Sequence, residues 1–186
     1  MALALPVFAA LAVGLLLGGR LSDLAQLRLR ATWLFFIAIA LQVVAFPLGF
    51  LPWSTDGTVA TALWLTSYGV LIVAAALNAR TTGVPIVATG MCLNLVVILA
   101  NRGTMPVRPD AMHAAGDDYG TNANSTALAD PHFGWLVDRW AAPDWTPLAN
   151  VFSIGDVVIA VGAVVIVLAG MGVRMPRPLK SRDASL

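Results

Sequence analysis

The sequence predicts an all-α, polytopic membrane protein, a five-helix transmembrane bundle, and three observations carry that prediction. Hydrophobic residues make up 59% of the 186 positions and charged residues 11%, with a mean hydropathy of +0.82. Ordinary soluble domains hold about a quarter charged residues. Five apolar runs, residues 3–19, 31–51, 59–77, 83–100 and 151–173, approach the ~20 residues that a helix needs to cross about 30 Å of hydrocarbon. Each run is apolar all round, whereas a membrane-spanning strand alternates apolar and polar positions. A net charge of +1 excludes a basic nucleic-acid binder. The single thiol, Cys92, lies inside an apolar run and leaves no partner for an intrachain disulfide.

The first run resembles a secretion signal in length, but no Lys or Arg precedes it and Arg20 follows it. It is therefore expected to remain in the mature chain. If the runs cross in turn, Arg20, Arg28, Arg30, Arg80, Arg174, Arg177, Lys180 and Arg182 fall on one side. Arg102, Arg108 and Arg139 share a long loop on the other. The positive-inside rule then predicts the N-terminus outside and the C-terminus cytoplasmic. After run one, Ser22 and Asp23 can cap a segment in which Leu24 and Leu27 separate from Arg28 and Arg30. The pattern fits a short helix on the inner interface, and equally a plain basic connector.

Within the runs, Gln42, Thr66, Ser67, Tyr68 and Asn94 fall at similar depth. Unpaired amides in hydrocarbon are costly, so these groups are expected to face one another across the bundle. They can act as interhelical glue, or line a pocket for a polar head such as a quinone carbonyl.

Residues 101–150 form the outer loop. Gly103 suits a left-handed helix end, with Pro106 and Pro109 preventing continuation. Asp130-Pro131 reads as a helix start, and Phe133, Leu136, Val137 and Trp140 share a helical face. Residues 131–141 are thus predicted to be an interfacial amphipathic helix, with Trp135, Trp140 and Trp145 at headgroup level. His113 and His132, with Asp117 and Asp118, match no compact metal pattern, and no cofactor-binding motif appears. No metal or cofactor is expected.

Run five opens Ser153-Ile-Gly-Asp156, the spacing of a capping box, which offsets the cost of a carboxylate at the edge of an apolar run. A sharper reading pairs Asp156 with Asp138, since two carboxylates sharing a proton can activate water as base and acid. The tail from Met175 to Leu186 reads as a short, disordered basic end.

Trp135-Leu-Val-Asp138-Arg-Trp140, followed by Asn150-Val-Phe-Ser-Ile-Gly-Asp156, resembles the last catalytic stretch of the lipoprotein signal peptidases. That resemblance implies an aspartate-dependent membrane peptidase with Asp138 and Asp156 as its dyad. It covers about a fifth of the chain, and Ser153 stands where that family has asparagine. Through Asn101-Arg-Gly-Thr-Met-Pro106 and Ser153-Ile-Gly-Asp156, the chain as a whole resembles a family of uncharacterised bacterial integral membrane proteins. This second resemblance implies a multi-pass protein of the bacterial cytoplasmic membrane and no particular activity. The expected function is a binding or interaction module for a lipid, a quinone or a partner membrane subunit. Its site is expected at the outer face among Asn101, Arg102, Asp138 and Asp156, with an Arg102–Asp156 ion pair. Gln42, Tyr68 and Asn94 are further candidate ligand-binding residues.

Overall fold

A computed structural model describes residues 4–46, 55–115, 125–128, 130–142 and 151–173. The chain is mostly helical: α1 (Ala4–Leu16), α2 (Leu21–Ala25), α3 (Trp33–Ala45), α4 (Gly57–Leu77), α5 (Val84–Ala100), α6 (Pro109–Ala114) and α7 (Ile154–Gly170). Every expected apolar run contains a helix. Among the described residues, only α4 is long and apolar enough by itself to cross a membrane; α1, α3, α5 and α7 are shorter apolar helices. The expected tail and Trp145 lie outside the described residues, as do Asp117 and Asp118.

Local chemistry sets several helix ends. The Asp56 carboxylate accepts from the N–H groups of Thr58 at 2.9 Å and Val59 at 3.4 Å, capping α4. Gly83 enters α5 at φ +92°, a conformation that favours glycine, and Pro85 stands in the first turn. At the other end Gly103, at φ +84°, donates its N–H back to the Ile98 carbonyl at 2.8 Å and closes α5 as expected. The Ser22-Asp23 cap is not formed. Both residues lie inside the five-residue α2, and Ser22 Oγ instead faces Asp23 Oδ1 at 3.4 Å.

The long helices pack in the spatial order α3, α4, α5, α7, α1. Between α5 and α7 the contact runs through paired glycines in antiparallel register. A Cβ on Gly83 would stand 2.7 Å from the Gly162 carbonyl oxygen, and one on Gly90 would stand 2.5 Å from that of Gly155. Such spacings admit hydrogen only, and backbones this close gain van der Waals contact along the whole seam. Trp64, Val97 and Ile98 form the main buried cluster with Met105, Leu136 and Val137 from the segment between α5 and α7.

The segment between α5 and α7 departs from the all-α expectation. Strand β1 (Met105–Val107) pairs in parallel with β2 (Ser125–Ala127), and β3 (Trp140–Ala141) pairs antiparallel with β4 (Val151–Phe152). Residues 131–141 are not a helix but successive turns ending in β3, with Phe133 at φ +56°. The reason is competition for backbone partners. The Asp138 N–H, which a helix would direct to Gly134, donates to the Pro106 carbonyl at 3.0 Å. The Arg139 N–H donates to Phe152 at 3.1 Å. Leu136 and Val137 are still buried, while Phe133, Trp135 and Trp140 face outward.

Candidate functional site

β4 runs directly into the first turn of α7, so the residue that ends the strand pairing also caps the helix. Ser153 is fully buried there. Its Oγ accepts from the Asp156 N–H at 3.1 Å, and Asp156 Oδ2 accepts from the Ser153 N–H at 2.9 Å. The expected capping box is therefore present.

A third residue joins it from α5. Asn94 Nδ2 donates to Asp156 Oδ1 at 2.9 Å, and Asn94 Oδ1 lies 2.9 Å from Ser153 Oγ. Ser153 Oγ is also 2.9 Å from Asp156 Oδ2. A hydroxyl carries one proton, so Ser153 donates to the amide or to the carboxylate, not to both at once. The amide fits because Gly155 has no side chain; a methyl there would overlap Asn94 Oδ1. Glycine at 155 is thus a condition of the polar cluster as well as of the helix packing.

Asp138 approaches the same cluster from the loop, its N–H donating to the Pro106 carbonyl at 3.0 Å and its carbonyl accepting from the Arg108 N–H at 2.9 Å, while Arg139 beside it bonds to β4. Its side chain is 6% exposed. Burial, and secondly the nearby charge of Asp156, push its carboxyl up to about 8. At neutral pH Asp138 is mainly protonated. Among the described residues no hydrogen bond joins the two carboxylates, and both oxygens of Asp156 are already engaged by Asn94 and Ser153. Tyr68 of α4 completes the surround, close to Asn94, Asp156 and Asp138.

The remaining candidates disperse. Gln42 Nε2 donates to Ser67 Oγ at 3.1 Å, an α3–α4 bond separate from the Asn94 cluster. Thr66 turns back to the Ala62 carbonyl of its own helix at 2.7 Å. The single mid-depth cluster expected from sequence is thus divided in two. Arg102 is exposed, with φ +58°. The expected Arg102–Asp156 pair is not formed, because Asn94 and Ser153 occupy the carboxylate; the ion pair among the described residues is Arg108–Asp110, on the surface. Asn101 is a tether rather than a wall of the cluster. Its side chain accepts from the His132 N–H at 2.9 Å and donates to the His132 carbonyl at 3.0 Å and to Val97 at 2.8 Å.

Below Asp156, between α1 and α7, a groove of about 440 Å³ opens to the outside of the bundle. Pro6 lines one wall and Val157, Val161 and Val164 the other, with Asp156 as the charged member of the lining. Sequence reasoning missed this groove and the Gly90–Gly155 contact. The seven-residue spacing of Gly83 and Gly90, repeated at Gly155 and Gly162, was the available signal.

The comparison with protein families reaches from the end of α2 to the last turn of α7, matching residues 26–168. The chain belongs to DUF5317, a family of unknown function. No curated protein and no solved structure matches it. Membership in DUF5317 agrees with the resemblance to an uncharacterised family, and the matched region contains the α5–α7 polar cluster and both glycine pairs.

Proposed function

We propose that this DUF5317 protein is a multi-pass protein of a bacterial cytoplasmic membrane that binds a lipid-class amphiphile at its outer face. Its five long apolar helices would form the bundle, with the N-terminus outside and the C-terminus cytoplasmic. Support for the membrane setting comes from the outer surface of the helices, where Phe8 is 69% exposed, Phe36 72% and Leu16 86%. In water such a surface would be an aggregation liability; in lipid it is solvated. Helices shorter than the hydrocarbon thickness can be accommodated by local thinning of the bilayer.

The observation that carries the binding reading is the α1–α7 groove, apolar along its length and ending at a carboxylate. An apolar channel with one polar end suits an amphiphile, its tail along Val157, Val161 and Val164 and its head at the Asp156 end. Native mass spectrometry of the full-length protein released from membranes tests this. A retained amphiphile is expected in the wild type and is lost in Val161→Trp, which fills the groove. A partner subunit's helix retained in its place would redirect the reading to a membrane complex; an empty wild-type protein that no added lipid fills would end it.

An aspartate-dependent membrane peptidase is the second reading, favoured by the protonated Asp138 beside the charge of Asp156. Cleavage of a lipidated peptide by the wild type, abolished in Asp138→Asn and in Asp156→Asn with the fold intact, would promote it. Absence of cleavage by the wild type, with lipid retained, leaves the binding reading in place.

A further inference from the structure

We infer that the opposite end of the bundle carries an anion site: Arg28, Arg30 and Arg80 line one cavity with Asn78 and bind a phosphate group there. The cavity measures about 350 Å³, within the range of about 300–1,000 Å³ typical of small-molecule sites.

The arginines come from two segments that are distant in sequence, the α2–α3 connection and the α4–α5 turn. Asn78 joins them. It accepts from the Arg30 N–H at 2.7 Å and donates to the Arg30 carbonyl at 2.9 Å, while also bonding the Ala74 carbonyl at 2.8 Å. The backbone that carries Arg30 is thereby anchored to the end of α4, two residues from Arg80. Among the described residues none of the three guanidinium groups is in an ion pair. The acid of neighbouring α2, Asp23, packs beside Gly172 and is not part of the cavity wall.

The positive-inside rule accounts for arginines at this end, but it is satisfied by charge anywhere on the surface and does not require that three line one cavity. Helix dipoles do not offset the charge either, because α4 ends and α5 begins at the same place. Guanidinium groups match phosphate oxygens through paired N–H donors, which a carboxylate-free cavity leaves available. The ligand is a phosphate, carried either by an anionic lipid headgroup or by a phosphorylated solute.

The test uses the full-length protein, delipidated in neutral detergent and titrated in native mass spectrometry with phosphatidylglycerol or with pyrophosphate. Saturable binding is expected, weakened about tenfold or more by the combined Arg28→Gln, Arg30→Gln and Arg80→Gln substitutions. The corresponding triple Arg→Lys variant keeps the charge and the topology signal but loses the paired-donor geometry. It is expected to bind several-fold more weakly than wild type. Preference for phosphatidylglycerol would identify a lipid headgroup as the source, and preference for pyrophosphate a solute; either supports the site. Binding by the lysine variant equal to wild type would reduce the effect to diffuse charge and overturn the inference, as would saturable binding by neither ligand. Val161 sits midway along α7 in the α1–α7 groove, whose lining shares no residue with the arginine cavity; Val161→Trp should leave this binding unchanged, so the groove and the anion site fail or succeed separately.

Discussion

At one end of the bundle Asn78 holds the backbone of Arg30, and at the other Asn101 holds that of His132. The devices match atom for atom. Each asparagine follows the last residue of a long helix, donates to the carbonyl four residues back, and grips one remote residue by both its N–H and its carbonyl. What they assemble is opposite. The Asn78 tether brings exposed arginines around an open cavity, whereas the Asn101 tether helps fix a loop that buries Asp138 near Asp156. An arginine reaches water along its stem and keeps its charge. A short carboxylate enclosed by a folded loop must instead be neutralised or fully hydrogen-bonded. The tether is common scaffolding, and the charge it gathers gives each end its chemistry.

The acidic end offers the largest test. Asp138 is pushed from 3.8 to about 8, so the folded protein holds a proton that the unfolded chain releases. That contribution to stability is complete below about pH 4, falls by about 1.4 kcal/mol per pH unit as pH rises, and levels off above about pH 8. Asp138→Asn mimics the protonated form and should flatten the profile, gaining up to about 4 kcal/mol at pH 7. Denaturation in detergent from pH 5 to 9 measures it; an unchanged slope would mean that Asp138 is ionised and solvated.

Next in size is the seam between the ends. Gly155→Ala should cost about 3 kcal/mol, since it displaces Asn94 and separates α5 from α7. Gly69→Ala, where an added methyl meets nothing within 4 Å, should be neutral or stabilising by up to about 1 kcal/mol. Equal effects of the two substitutions would refute the glycine seam.

The tethers come third. Asn78→Ala and Asn101→Ala should each cost about 2 kcal/mol, because each leaves partly buried backbone groups without a partner. They should differ in consequence: the first weakens phosphate binding at the arginine cavity and the second leaves it intact. If both variants, or neither, alter that binding, the separation of the two ends fails. Smallest of all is Arg108→Ala. Its pair with Asp110 is fully exposed, and melting should not change measurably.

The candidate site was legible where its chemistry is local. Ser153 and Asp156 are three residues apart, and their capping box could be read from spacing alone. Asn94 stood out as an amide in an apolar run that needed a partner and Asp156 as a carboxylate at the start of another, but nothing local showed that they bond to each other across 62 positions. The same limit produced the false helix at 131–141. Its apolar spacing is helical, but the backbone groups of Asp138 and Arg139 find partners on β1 and β4. Arg28, Arg30 and Arg80 were legible as charges at one end, not as the lining of one cavity.

The sequence by itself determined where the long apolar helices lie, how Ser153 begins α7 and how Gly103 ends α5. These follow from hydrophobicity, φ preference and hydrogen bonds that reach only a few residues along the chain. Tertiary structure decided which asparagine grips which loop, that Asp138 is buried beside Asp156, and that α5 meets α7 glycine against glycine. Those outcomes depend on which surfaces fit when segments far apart in sequence compete for the same space and the same backbone partners, and no local pattern encodes that competition.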